Sequence, residues 1–386
     1  MNMRKTCSSL ILTAALLLPT LTSAPSSAGA APAPKTLVYV DKGNHSYIPL
    51  RFLNGFDGIK AGWSAAGDKI EITKDDNVLT LVPGQVGASL NGKATTTTER
   101  AFTDNSTLYV PLSVVSKSLG LGLKWDAPSS SITIASGDVS STLPVLSGAL
   151  IPAESQGVVA AAKSVKVGSR SFQIQTVTVS LLHPKVRLDM VLAGNTVGKV
   201  EDLNSIAKRS GAIAAVNGTF FDAYTKGSYK APYGYIVSNG KLLKDSPADR
   251  RAVFAYDKNY LAGLVAGLDF KARFNAGQVE GAVQAGPRLL LDGKVSLNVA
   301  AEGFRDPKIL TGGGARSALG LTRDHKLIIV TTGGATIPQM AEIMKQAGAY
   351  QAMNLDGGAS SGLFYNGKYL TSPGRQISNA LIVKYQ

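Results

Sequence analysis

The chain has 386 residues, 44% hydrophobic and 17% charged, with a formal net charge of +14. That length carries two or three domains with a sizeable core, and the positive balance favours an anionic neighbourhood such as phosphate-bearing polymers or lipid surfaces. The single cysteine, Cys7, excludes intrachain disulfides and cysteine metal sites.

The N-terminus reads as a secretory signal: Arg4 and Lys5, an apolar run from Leu10 to Leu18, then small residues ending Ala28-Gly29-Ala30. Cleavage after Ala30 is expected, because cutting after Ala24 would set Pro25 directly behind the bond. The apolar run is too short to span a bilayer, and no later stretch approaches that length. Loss of Arg4 and Lys5 with residues 1–30 would leave a charge of +12. Export without disulfides suits a bacterial cell surface. The expectation is a secreted or wall-associated protein with no transmembrane segment after signal removal. Export, and the lack of any Lys/Arg run longer than two, argue against a nucleic-acid partner.

After an Ala-Pro spacer comes a repeat. Ile48-Pro49-Leu50, Trp63 and Ile70-Glu71-Ile72 recur as Val110-Pro111-Leu112, Trp125 and Ile132-Thr133-Ile134, each at an offset of 62 residues. Each half reads as a strand, a short helix after Pro-Leu, and two further strands. The duplication predicts a small α+β module over residues 36–137 whose halves share a core around the two tryptophans. This signature resembles the N-terminal domain of copper amine oxidases, a stalk module of exported proteins from Gram-positive bacteria. Copper is not implied, because the segment holds one histidine, His45, and no cysteine. Residues 138–157 mix Ser, Pro and Gly and read as a linker.

From Val158 to the end, strands dominate. Phe172–Leu181 alternates as a half-buried strand, and Val186–Leu192, Ala212–Val216, Leu327–Thr332 and Ala380–Lys384 follow. The best helix is Pro338–Ala349, with Met340, Ile343 and Met344 on one face. Few strand–helix–strand units occur, which predicts an α+β domain on mixed β-sheets over residues 158–386.

His45, His183 and His325 have no ligand-spacing partners, so neither a histidine metal site nor Ser-His-Asp hydrolysis is expected. The candidate chemistry lies in glycine turns at strand ends. Asn354-Leu355-Asp356-Gly357-Gly358-Ala359-Ser360-Ser361 sets a carboxylate among N–H groups able to cradle an anion. Asn217-Gly218-Thr219-Phe220-Phe221 offers an amide and an apolar wall. Gly286-Pro287-Arg288-Leu289 is a glycine turn leading into a strand, Arg316-Ser317-Ala318-Leu319-Gly320 sets a guanidinium fork suited to phosphate at a strand start, and Arg375-Gln376-Ile377-Ser378-Asn379-Ala380-Leu381 opens the final strand with another Arg and Asn.

In this order the five motifs resemble the phosphodiester glycosidase family, over roughly residues 170–386. Thr219 and Ala359 stand where glycine is common. The resemblance implies hydrolysis of sugar-1-phosphodiesters, with N-acetylglucosamine-1-phosphodiesters as the model substrate. It implies Asp356, Arg316 and Asn217 as catalytic residues. Asn354, Gly357, Gly358, Ser360, Ser361, Gly286, Phe220, Arg375 and Asn379 would hold the substrate. Asp222 and Glu302 are candidates for a second carboxylate. No ligand run demands a metal, although oxygen-rich loops could hold a hard divalent cation. The expected partner is a phosphorylated glycan of the wall or capsule. The rival expectations are a non-catalytic module binding the same glycan, and a structural protein of the cell surface.

Overall fold

The structure, a computed structural model, describes residues 35–386, so the expected signal segment lies outside the described residues. No helix among the described residues is long and apolar enough to cross a membrane.

Two sheets build residues 35–148. A seven-stranded sheet takes in Val38–Asp41, Ser46–Pro49, Thr107–Pro111 and the hairpin Gly122–Asp126/Ser131–Ser136. A five-stranded antiparallel meander runs from Ile59–Trp63 to Lys93–Arg100. The two Pro-Leu motifs lie side by side, with Ile48 opposite Val110 in an antiparallel pair. Proline lacks the N–H that would extend the ladder, and each strand gives way to a helical turn there. The turns are a 3-10 helix at Leu50–Gly55 and an α-helix at Leu112–Leu119.

The tryptophans do not form the expected shared core: Trp63 is 55% and Trp125 54% exposed. Both sit on edge strands, Ile59–Trp63 and Gly122–Asp126, where covering side chains run out. The common core is aliphatic instead, with Ile48, Leu53, Ile70 and Ile72 against Val110, Leu112, Ile134 and Leu143.

The segment expected as a linker holds a ten-residue strand, Val139–Gly148. It pairs antiparallel with Ser131–Ser136 and parallel with Val38–Asp41. With both ladders satisfied, its Ser and Thr residues cost little, and Leu143 and Val145 still reach the core.

Residues 158–386 form three sheets. The expected mixed sheets are absent here: every strand pair given for this region is antiparallel. Hairpins link many consecutive strands, so few crossovers are needed. The strand Arg170–Ser180 shows how the layers stack. Phe172 and Ile174 pack with Met340 and Ile343 of the helix Ile337–Gln346. Val177 and Val179 join Leu188, Met190, Val216, Ile329 and Leu381 in the central core between two sheets. The helix begins in a capping box of Thr336 and Gln339, with Pro338 in its first turn, so sequence and position agree on its start.

The N-terminal module packs on the second domain. Lys35 Nζ donates to the carbonyls of Leu181 and His183 and lies 3.9 Å from the Tyr260 ring centroid. The His325 Nε2 is 3.0 Å from the Ser130 carbonyl, and Leu182 joins Leu37, Tyr47 and Tyr109 in a small apolar cluster. His183 and His325 sit in turns and are buried at this interface.

Candidate active site

The candidate residues gather where strands of two sheets end. Asn217 closes Ala214–Asn217, Asn354 closes Gln351–Asn354, Asn379 opens Asn379–Tyr385, and Arg316 lies early in Gly314–Leu321. Beside these ends is a cleft of about 760 Å³ lined by Phe220, Phe221, Asp222, Tyr224, Arg251, Phe304, Arg316, Asp356, Gly357, Gly358 and Arg375, among others. None of the residues lining it precedes Phe220.

Asp356 is the buried carboxylate of this cleft, 7% exposed. Loss of water pushes its carboxyl up to about 6; the Ser360 hydroxyl, Arg375 and the Gly357 N–H offset part of that rise. The Gly357 N–H donates to Asp356 Oδ1 at 2.9 Å, and Arg375 Nη2 lies 3.9 Å from Oδ2. Arg375 also donates from Nε to Ser360 Oγ at 2.7 Å, and its guanidinium lies 5.2 Å from the Phe221 ring centroid. Gly358, next in the turn, has φ of +61°, a conformation glycine adopts without strain.

Asn217 does not line the cleft. Its Nδ2 donates to the Asp356 carbonyl at 2.7 Å, while its Oδ1 accepts from Ser317 Oγ at 2.7 Å and from the Gly362 N–H at 3.0 Å. These bonds tie two sheets and hold the turn that carries Asp356. Asn379 works similarly behind the wall: its Oδ1 accepts from the Thr219 N–H at 3.1 Å. Gly218 permits that approach, because a Cβ there would come within 2.0 Å of Asn379 Oδ1. Asn354 and Gly286 also lie outside the cleft, where Asn354 Nδ2 donates to the Gly286 carbonyl and the Gly286 N–H returns a bond to the Asn354 carbonyl. Ser361 is buried behind the turn.

Arg316 lines the cleft but is largely committed. Its Nε donates to the Ala335 carbonyl, and its Nη2 donates to the carbonyls of Lys308 and Gly312. Burial lowers its pKa, and Asp306 partly offsets this. The remaining nitrogen, Nη1, faces the glycine turn; a Cβ on Gly357 would lie 3.6 Å from it.

Of the two other carboxylates considered, Asp222 lines the cleft. Glu302 is turned to the backbone, accepting from the N–H groups of Ala252 and Arg288, and borders a separate depression. Phe220 forms part of the wall, stacked edge-on with Phe304 and lying 5.6 Å from Arg251. Tyr224, Lys308 and Arg305 complete the mouth and were not singled out from sequence. The only hint of them is nearness in the chain to the Phe-Phe pair and the triple glycine. Among the described residues, no group of three or more His, Cys, Asp or Glu is placed to hold a metal ion.

Residues 210–384 match the family model for phosphodiester glycosidase. The C-terminal region is similar to the phosphodiester glycosidase family. The strands Arg170–Ser180 and Val186–Leu192, upstream of the matched region, pair with strands inside it. Residues 29–134 match the copper amine oxidase N-terminal domain. Among solved structures, the chain is similar to a hypothetical protein from Synechocystis, at 15% identity and a TM-score of 0.54, covering 92% of this chain and 99% of that one. It is also similar to the zebrafish N-acetylglucosamine-1-phosphodiester alpha-N-acetylglucosaminidase catalytic domain, auto-inhibited by its pro-peptide. That likeness has 21% identity and a TM-score of 0.53, covering 60% of this chain and 85% of that one. At these identities the likeness is one of fold. No curated protein matches the chain.

Proposed function

We propose that the protein hydrolyses a glycosyl-1-phosphodiester, breaking the bond between the anomeric carbon and the phosphate oxygen, in a wall or capsular glycan outside the cell. The observation that carries this reading is a lone buried carboxylate, Asp356, set against Arg375 at the floor of a cationic cleft. Phosphate is a good leaving group, so the reaction asks little of a general acid and much of charge stabilisation. Arg375, with Nη1 of Arg316, would neutralise the negative charge that builds on the departing phosphate. Asp356, ionised above about pH 6, would stabilise or attack the cation-like sugar. Asp222 is a second cleft carboxylate that could activate water. The basic balance of the chain favours a polyanionic substrate.

The test is incubation of the protein with UDP-N-acetylglucosamine, with and without chelator, following free sugar. Release that disappears in Asp356→Asn supports the reading, and the chelator arm decides the cation requirement. Saturable binding of phosphorylated glycan without sugar release would replace the hydrolase with a binding module.

A further inference from the structure

Resting on that reading, we infer that the cleft holds a second anion subsite at its mouth, formed by Lys308 and Arg305 with Tyr224, which takes a further phosphate on the leaving-group side. Tyr224 is 80% exposed and lines the cleft. It lies between two cations: Arg375 is 5.5 Å from its ring centroid and Lys308 Nζ is 5.8 Å from it. Arg375 is also the cation beside Asp356. A ligand leaving Asp356 past Arg375 therefore meets the ring and then Lys308.

Both mouth cations are free to take an anion. Among the described residues neither Lys308 nor Arg305 has a carboxylate within ion-pair distance, whereas Asp249 on the same wall is neutralised by Arg251. The nearest acid in the chain, Asp306, also lines the cleft and accepts from the Lys308 N–H at 2.9 Å through Oδ1, as the cap of its own helical turn. Lys308 is held in place through its backbone by Arg316, so the mouth is braced against the floor. The substrate class is thus a sugar-1-phosphodiester whose alcohol carries a second phosphate, as in a repeating sugar-phosphate polymer.

Two probes that differ only in that phosphate test this: N-acetylglucosamine-1-phosphate esterified with an ethyl group, and the same ester with a 2-phosphoethyl group. Binding of each to the full chain carrying Asp356→Asn is measured by calorimetry, so that turnover plays no part. The 2-phosphoethyl ester should bind about tenfold more tightly, the scale of a charge-assisted contact, with the preference shrinking as salt rises. Lys308→Ala with Arg305→Ala should erase the preference. Lys345→Ala, which removes a charge from the helix Ile337–Gln346, should keep it. Equal affinity for the two esters, or a preference that survives the mouth substitutions, overturns the subsite. A preference that holds in a protein releasing no sugar from either ester keeps the subsite and removes the hydrolase.

Discussion

At the scale of single residues, Asp356 sets both pH behaviour and chemistry. Its carboxyl is held at about 6 in the fold, against 3.8 for an ordinary aspartate, so the native state binds the proton more tightly than the unfolded chain. The stability this confers is present below about pH 4 and is lost as pH rises through 6. Asp356→Asn should therefore abolish turnover and raise the melting temperature more at pH 8 than at pH 4. Equal shifts at the two pH values would show that the carboxylate is not strained by burial. The activity itself should climb through pH 6 if the ionised form acts, which a kcat/KM profile checks. Asn217→Ala would leave Ser317 Oγ and the Gly362 N–H without their acceptor and free the Asp356 backbone. The expected result is a loss of about 2–4 kcal/mol in stability, with kcat falling more than KM rises. The Asp-Gly-Gly turn is legible in sequence because its residue types carry the chemistry. The role of Asn217 is not, since an amide after a buried strand reads equally well as ligand contact or brace.

At the scale of elements, the helix Ile337–Gln346 and the strand beneath it show patterning at its clearest. Met340, Ile343 and Met344 follow one helical face, and all are fully buried. Met340→Ala should cost about 2–5 kcal/mol by leaving a cavity against Phe172 and Ile174, while KM stays as in the wild type. A KM change would mean that this layer reaches the cleft. Elsewhere patterning was weaker. The strand Val139–Gly148 reads as a polar linker because its Ser and Thr residues break the alternation, and its two partner strands lie on either side of it only in the folded sheet. The tryptophans mislead in the opposite way. Size and hydrophobicity suggest a core, but their edge strands leave them half in water.

At the scale of the whole molecule, the two modules are joined by more than a tether. Removing residues 36–137 alone would strip both partner strands from Val139–Gly148. That truncation should lower the melting temperature and promote aggregation. A cut that also removes Val139–Gly148 should recover a soluble domain that retains turnover, because every cleft residue lies between Phe220 and Arg375. Loss of activity in that soluble domain would assign the N-terminal module a part in catalysis.

By itself, the sequence determined the family-bearing motifs, the two-part order of the chain, the strand-rich character of its second part, and Asp356 as the residue to watch. These are local properties, carried by residue type and short-range spacing. Only the tertiary structure decided that the sheets of the second domain are antiparallel, that Asn217 and Asn379 brace the wall rather than face the cleft, and that Tyr224 lies between Arg375 and Lys308 at its mouth. Those arrangements depend on contacts between residues far apart in the chain, 160 positions for Thr219 and Asn379, and no local pattern encodes them.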